Sequence, residues 1–247
     1  MIYIILMLKW YSLYFLLFCG MKIKSLTLFT NKLSKQQDFY TKTLGFELLD
    51  EAQDSFVIQV GFTKLKFKLR TKHYKYHYCF LIPSNKLSES ISWLQERLEL
   101  IKIEEERVIQ HFENWNADSV YFYDGAGNLA EFIVRYDLKN ENQEAFSLSH
   151  ILSVNEIGMP THNVAKMNAQ LEDKLNSKFW KGDLERFGTN GTQNGLFLLV
   201  NNEVKETWFP TELETQSSPF EATVDVAGTV FDIKFYNQEI SVGNGNN

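Results

Sequence analysis

The chain has 247 residues, of which 44% are apolar, 23% charged and 15% aromatic. This composition excludes disorder, collagen and coiled coil as descriptions of the whole, and the length accommodates one large domain or two small ones. A net charge of −6 argues against a nucleic-acid-binding surface, and two cysteines, Cys19 and Cys79, exclude both a disulfide framework and a Cys-rich zinc site.

Residues 1–20 differ in character from the rest. Seventeen of these twenty are apolar, and Lys9 is the only charge. As a helix such a segment would span roughly 30 Å, the thickness of a bilayer core. A signal peptide fits less well, because no basic residues precede the apolar run. Bulky Phe18 ahead of Cys19 argues against a lipoprotein cleavage site. Met21 opens an ordinary first strand, so a start at Met21 with an untranslated leader is the favoured reading. The expected location is then cytoplasmic, with a membrane anchor over 1–20 as the alternative if Met1 is the start.

From Met21 onward one pattern repeats. Lys22–Thr30 alternates like a strand, and Ser34 reads as the N-cap of a short helix that stops at Gly45. Phe46–Ala52, Phe56–Gly61 and Lys64–Leu69 read as three more strands. The order β-α-β-β-β then recurs: strand Tyr76–Ile82, helix Leu87–Leu98, a charged strand Ile101–Ile109, then strands Ser119–Tyr123 and Leu129–Arg135 around a Gly/Asn turn. After a polar linker over 138–150 it begins again, with strand Leu152–Met159 and helix Val164–Leu175. Strands Gly195–Val200, Ala222–Val226 and Val230–Tyr236 complete this third unit, and the tail 241–247 reads as disordered. The expected class is α+β. Repeated modules fill it, the first two (21–137) pairing into a cup-shaped open barrel and the third (151–240) following. An inner pocket is expected in such a cup. Lys64, Lys66, Lys68 and Arg70 fall on one strand face, read as solvated or as a small anion site. The Trp208–Thr211 segment either caps the third module's pocket or fills its core.

The most specific stretch runs from Val120 to Glu131. Its Tyr121, Asp124, Gly127, Asn128 and Glu131 resemble the closing hairpin of the vicinal oxygen chelate superfamily, which includes glyoxalase I, bleomycin-resistance proteins and extradiol ring-cleaving dioxygenases. Only Gly125 departs from that pattern, in place of a proline. Phe39-Tyr40 with Leu44-Gly45-Phe46 resembles the helix end of the family's first module. His77 and Phe80 resemble the opening strand of its second. The likeness covers Lys22–Arg135 well and Leu152–Tyr236 loosely.

The resemblance implies metal ligands on the first and last strands of each module. In the second module these are His77 and Glu131, donors suited to Fe(II), Mn(II), Ni(II) or Zn(II). In the first module the same positions carry Ser25 and Leu65, neither a good ligand. Glu156 holds the first-strand position of the third module, where it either completes a cluster or is an ordinary strand carboxylate. Tyr121 stands where extradiol enzymes carry a pocket tyrosine. His111 lies near the family's acid/base histidine, although farther upstream. The function implied is metal-dependent chemistry on a small oxygen-chelating or aromatic molecule, dioxygenase-like before glyoxalase-like. The alternative is a metal-free binding protein of the same fold. No nucleotide cofactor and no nucleic acid are expected; pairing of modules across a homodimer is a further alternative.

Overall fold

The computed structural model describes residues 20–245. The leader-or-anchor expectation therefore lies, except for Gly20, outside the described residues, as do the last two residues of the expected tail. Among the described residues no helix is long and apolar enough to cross a membrane.

The first module consists of β1 (Met21–Thr30), α1 (Leu33–Asp38, continued by a π-helical turn Phe39–Thr43), β2 (Leu48–Ala52), β3 (Ser55–Val60) and β4 (Thr63–Leu69). The second consists of β5 (His77–Leu81), α2 (Leu87–Gln95), β6 (Gln110–Phe112), β7 (Ala117–Tyr123) and β8 (Leu129–Arg135). The third consists of β9 (Ser153–Thr161), α3 (Val164–Leu175), β10 (Phe179–Gly182), β11 (Phe187–Thr192) and β12 (Gly195–Asn201). In each module the last strand returns parallel to the first, so β4 lies beside β1, β8 beside β5 and β12 beside β9. A small hairpin, β13 (Thr207–Trp208) with β14 (Leu213–Glu214), leads to an antiparallel meander of β15 (Phe220–Val226), β16 (Thr229–Tyr236) and β17 (Glu239–Asn244).

The modules pair differently from the sequence expectation. The second joins the third through antiparallel β5 and β9, giving an eight-stranded sheet in the order β10-β11-β12-β9-β5-β8-β7-β6. The first joins the C-terminal meander through β1 and β15, giving a seven-stranded sheet, β17-β16-β15-β1-β4-β3-β2. Burial follows the sorting. β5 and β9, in the middle of the eight-stranded sheet, are buried at every position, including the polar Asn155 and Glu156 of β9. β1 alternates, with Lys22 and Lys24 exposed, and β15 alternates in the same way. Their solvent faces match in charge, with Lys22 opposite Asp225. Strands 222–226 and 230–236 thus belong to the first module's sheet rather than to the third module.

Three local expectations are also corrected. Segment 101–109 holds only a single bridge, Glu104 to Arg107, because its run of Glu residues has no apolar alternation to bury. The first helix begins at Leu33 with Lys32 as its N-cap, and no side chain caps it. The tail is not free as far as Asn244, because β17 pairs with β16 and buries Ile240.

One apolar core links both sheets and the helices, through Leu26, Phe67, Tyr78, Phe80, Phe132, Phe197, Leu94 and Leu171 among others. Period-two alternation divides β5 between two environments. Tyr78 and Phe80 enter this core, while His77 and Cys79 face the other way, into the concave side of the eight-stranded sheet. The Gly/Asn turn after β7 locks the first two modules together. Asp124 Oδ1 accepts from the backbone N–H groups of Ala126 and Asn128, both at 2.9 Å. Its Oδ2 accepts from Gln36 of α1 at 2.6 Å and from Tyr78 at 2.5 Å. Gly125 sits so close to α1 that a Cβ there would lie 2.4 Å from the Lys35 carbonyl oxygen. A proline ring has no room, which accounts for the one departure in that turn.

Candidate metal centre

Register brings three donors together on the concave face. Cys79 of β5 lies opposite Glu131 on one side and Glu156 on the other, and His77 is two residues earlier on the same strand. Ligand atoms of His77, Glu131 and Glu156 all lie within 4.8 Å of one another, and all three residues are buried. They sit in the wall of a cavity of about 510 Å3, shared with Tyr121, Leu198, Trp208 and other aromatic residues. Cys79 lies beside them, its thiol pushed well above the usual range by burial and then by the two carboxylates, so it stays protonated.

The histidine is held by its ring. Nδ1 lies 3.2 Å from the Leu129 carbonyl oxygen, which only accepts, so Nδ1 carries the proton. In the neutral ring Nε2 then presents a lone pair, and it faces Glu131 Oε2 at 3.3 Å. A cation between these two acceptors, a proton or a metal ion, would hold them together. An imidazole anchored through one nitrogen on a carbonyl, with the other aimed at carboxylates, is the arrangement of a metal-ligating histidine. The Trp208 ring packs 4.8 Å from the imidazole and fixes its outer face.

Glu156 depends on a distortion of β9. Cys79 pairs with Glu156 but Phe80 pairs with Val154, so Asn155 is an extra, bulged residue. The bulge lets adjacent side chains reach the same group, the fully buried Arg135. Arg135 Nε donates to Asn155 Oδ1 at 3.1 Å and Nη2 donates to Glu156 Oε1, while Nη1 has no partner. Burial raises the Glu156 carboxyl above its usual range; Arg135 pulls it back, and Glu131 pushes it up again. With one guanidinium against two carboxylates, the cluster retains a single negative charge when His77 is neutral. That donor set fits a divalent cation.

The remaining expected site residues separate clearly. Tyr121 lies opposite Glu131 in register and lines the cavity. Burial first, then Glu131, holds its hydroxyl well above the usual range, so it is a neutral phenol. His111 is not in the cavity. Its side chain is 60% exposed and bonded to Asp118 at 2.6 Å, whereas the next residue, Phe112, lines the wall. Strand alternation on β6 turns one inward and leaves the other out. Ser25 and Leu65 are corrected as well. Both belong to the seven-stranded sheet, with Leu65 in the main core and the Ser25 hydroxyl bonded to the Thr223 N–H. Because the third module is the true neighbour, the fourth position is Leu198, placed relative to Glu156 as Glu131 is to His77. Trp208 lies in the wall and Phe209 beside it, 45% exposed. Arg135 was not singled out in the sequence, because nothing in its strand pattern signals a partner on β9.

No protein-family model and no curated protein matches the chain. Solved structures do. The chain is similar to a proposed dioxygenase from Bacillus subtilis subsp. subtilis str. 168, at 16% identity and a TM-score of 0.53, covering 74% of this chain and 64% of that one. It thus spans less than two thirds of that neighbour. A glyoxalase I variant from Zea mays is similar at 12% identity and a TM-score of 0.47, covering 73% and 68%. A lactoylglutathione lyase from Agrobacterium tumefaciens is similar at 18% identity and a TM-score of 0.37, covering 45% and 92%. The fold, built from β-α-β-β-β modules, is shared with that Bacillus subtilis structure.

Proposed function

We propose that the protein is a metal-dependent enzyme acting on a small aromatic molecule with neighbouring oxygen atoms, in the manner of a ring-cleaving dioxygenase. The observation that carries this is the His77, Glu131 and Glu156 cluster in the wall of an aromatic-lined cavity. These three residues would hold the metal. Bound there, a divalent ion would supply positive charge that holds and polarises two vicinal oxygens.

The chain's own residues supply the rest. The Leu129 carbonyl keeps the Nδ1 proton on His77, leaving Nε2 free to ligate. Arg135 holds one oxygen of Glu156 and leaves the other for the centre. The neutral Tyr121 hydroxyl, on the strand beside Glu131, can donate a proton or a hydrogen bond to a substrate oxygen. Trp208, Phe112 and Trp115 exclude water and present flat surfaces to a ring.

A second reading is a metal-free binding protein of the same fold. What favours it is that Arg135 already pairs with Glu156 and that Leu198 stands at the fourth position. The test is protein loaded anaerobically with Fe(II) or Mn(II), then screened by oxygen electrode against a catechol panel. A parallel arm follows isomerisation of thiol–aldehyde adducts with Zn(II) or Ni(II). Oxygen uptake that needs both metal and catechol supports the proposal. Metal-independent ligand binding with no turnover in either arm favours the second reading.

A further inference from the structure

The cavity lining also holds charge opposite to that of its metal-binding wall. Lys205 and Arg186 both belong to it, the first after β12 and the second in the turn between β10 and β11. Neither forms an ion pair among the described residues. Lys205 Nζ donates to the Thr207 carbonyl at 2.6 Å, which leaves two of its hydrogens uncommitted. Asp183 also lines the cavity, but its Oδ1 accepts from the backbone N–H groups of Glu185 at 2.9 Å and Arg186 at 2.6 Å, folded into its own turn. These three residues therefore carry an excess of one positive charge.

The two charged regions stand one indole apart. The Trp208 ring lies 4.8 Å from the His77 ring and 5.5 Å from Lys205 Nζ. A ligand lying along Trp208 would reach from the carboxylate cluster to Lys205, with Arg186 lining the same cavity. A cavity of about 510 Å3 suits one ring with a short substituent.

We propose that Lys205 and Arg186 form a subsite for a single carboxylate, so that the ligand is an arene monocarboxylate with its acid group at this end and its ring along Trp208. The subsite deepens the functional reading above and adds an acid group to its substrate class. Two further features agree. Burial and the nearby Arg186 charge lower the Lys205 amine to about 8, so an anion between them relieves an existing repulsion. The exposed Phe209 packs edge-on to Tyr121 at 6.2 Å and continues the apolar wall.

The test uses the full chain stripped of metal with chelator, so that it stands apart from the metal reading. Isothermal titration compares benzoate, phenylacetate and 3-phenylpropionate with the corresponding amides. At least one acid should bind tenfold or more tighter than its amide. Lys205→Met and Arg186→Gln should each cut that acid's affinity about tenfold and leave the amide unchanged, with circular dichroism confirming the fold. Equal binding of acid and amide in every pair, no binding by any acid, or a preference unmoved by both variants overturns the subsite. An intact acid preference in a protein that takes up no divalent metal would overturn the enzyme reading and leave the subsite standing.

Discussion

Replacing Arg135 with methionine isolates the electrostatics of the cluster. Arg135 is fully buried and neutralises Glu156, which stands next to Glu131 on the concave face. Removing one partner of a buried pair costs about 3–5 kcal/mol, because the other charge is left without compensation. The lower end applies here. Glu156 is already pushed toward its protonated form by burial, so it can take up a proton instead of remaining charged. A loss of about 3 kcal/mol, with a urea slope of about 3 kcal/mol/M, moves the midpoint down by about 1 M. The assay is urea unfolding followed by circular dichroism, in chelator and then in excess Mn(II) or Zn(II). Arg135→Met should lose about 1 M in chelator. Divalent metal should restore most of it, since a ligand at a hundred times its Kd contributes about 2.7 kcal/mol. Adding Glu156→Gln to Arg135→Met should also recover stability without metal. A midpoint shift under about 0.3 M in chelator would refute the view that Arg135 is the counter-charge of Glu156.

Other positions report on the walls and on the module contacts. At Gly158 a Cβ would lie 2.6 Å from the Trp208 ring, so Gly158→Ala should displace the indole and cost about 1–3 kcal/mol; fluorotryptophan NMR should show one shifted resonance, and an unchanged spectrum contradicts the packing. Asp124→Asn replaces an acceptor of Tyr78 and Gln36 with a donor, and should cost about 3 kcal/mol in urea unfolding; a cost under about 1 kcal/mol would mean the network does not hold the modules. Lys205, lowered to about 8, should be acylated at pH 8 well ahead of ordinary lysines near 10.4. Peptide mass spectrometry checks this, and labelling no faster than at exposed Lys166 contradicts it.

The sequence showed the modules more readily than their assembly. Strand and helix periods are local, so β8 and α3 match their sequence patterns to the residue, whereas β10 and β11, interrupted by Gly182, Gly188 and Gly191, show no period to read. Pairing is not local. Lys22 and Lys24 mark one face of β1 as solvent-exposed, but β9, buried throughout, carries Asn155 and Glu156, so its own sequence does not mark it as a central strand. The site was half legible for the same reason. His77 and Glu131 belong to one module and could be paired by counting. Strand position marks Glu156 either as a ligand or as an ordinary strand carboxylate, and only the identity of the neighbouring module separates the two. Arg135 was hidden because its contact with Glu156 runs through the bulge at Asn155, which no residue pattern marks. His111 shows the opposite error: a suitable residue type one position away from the inward-facing Phe112.

In the proposed reading His77, Glu131 and Glu156 together hold a divalent ion, and equilibrium dialysis measures that binding. Chelator-stripped protein is dialysed against Fe(II) under anaerobic conditions, Mn(II) and Zn(II), and bound metal is counted per chain. The wild type should bind one ion per chain with at least one of these metals. His77→Gln, Glu131→Gln and Glu156→Gln should each lower affinity by tenfold or more while keeping the native circular dichroism spectrum. Negligible uptake of every metal by the wild type, or equal uptake by all three variants, would mean that these residues do not form a metal centre.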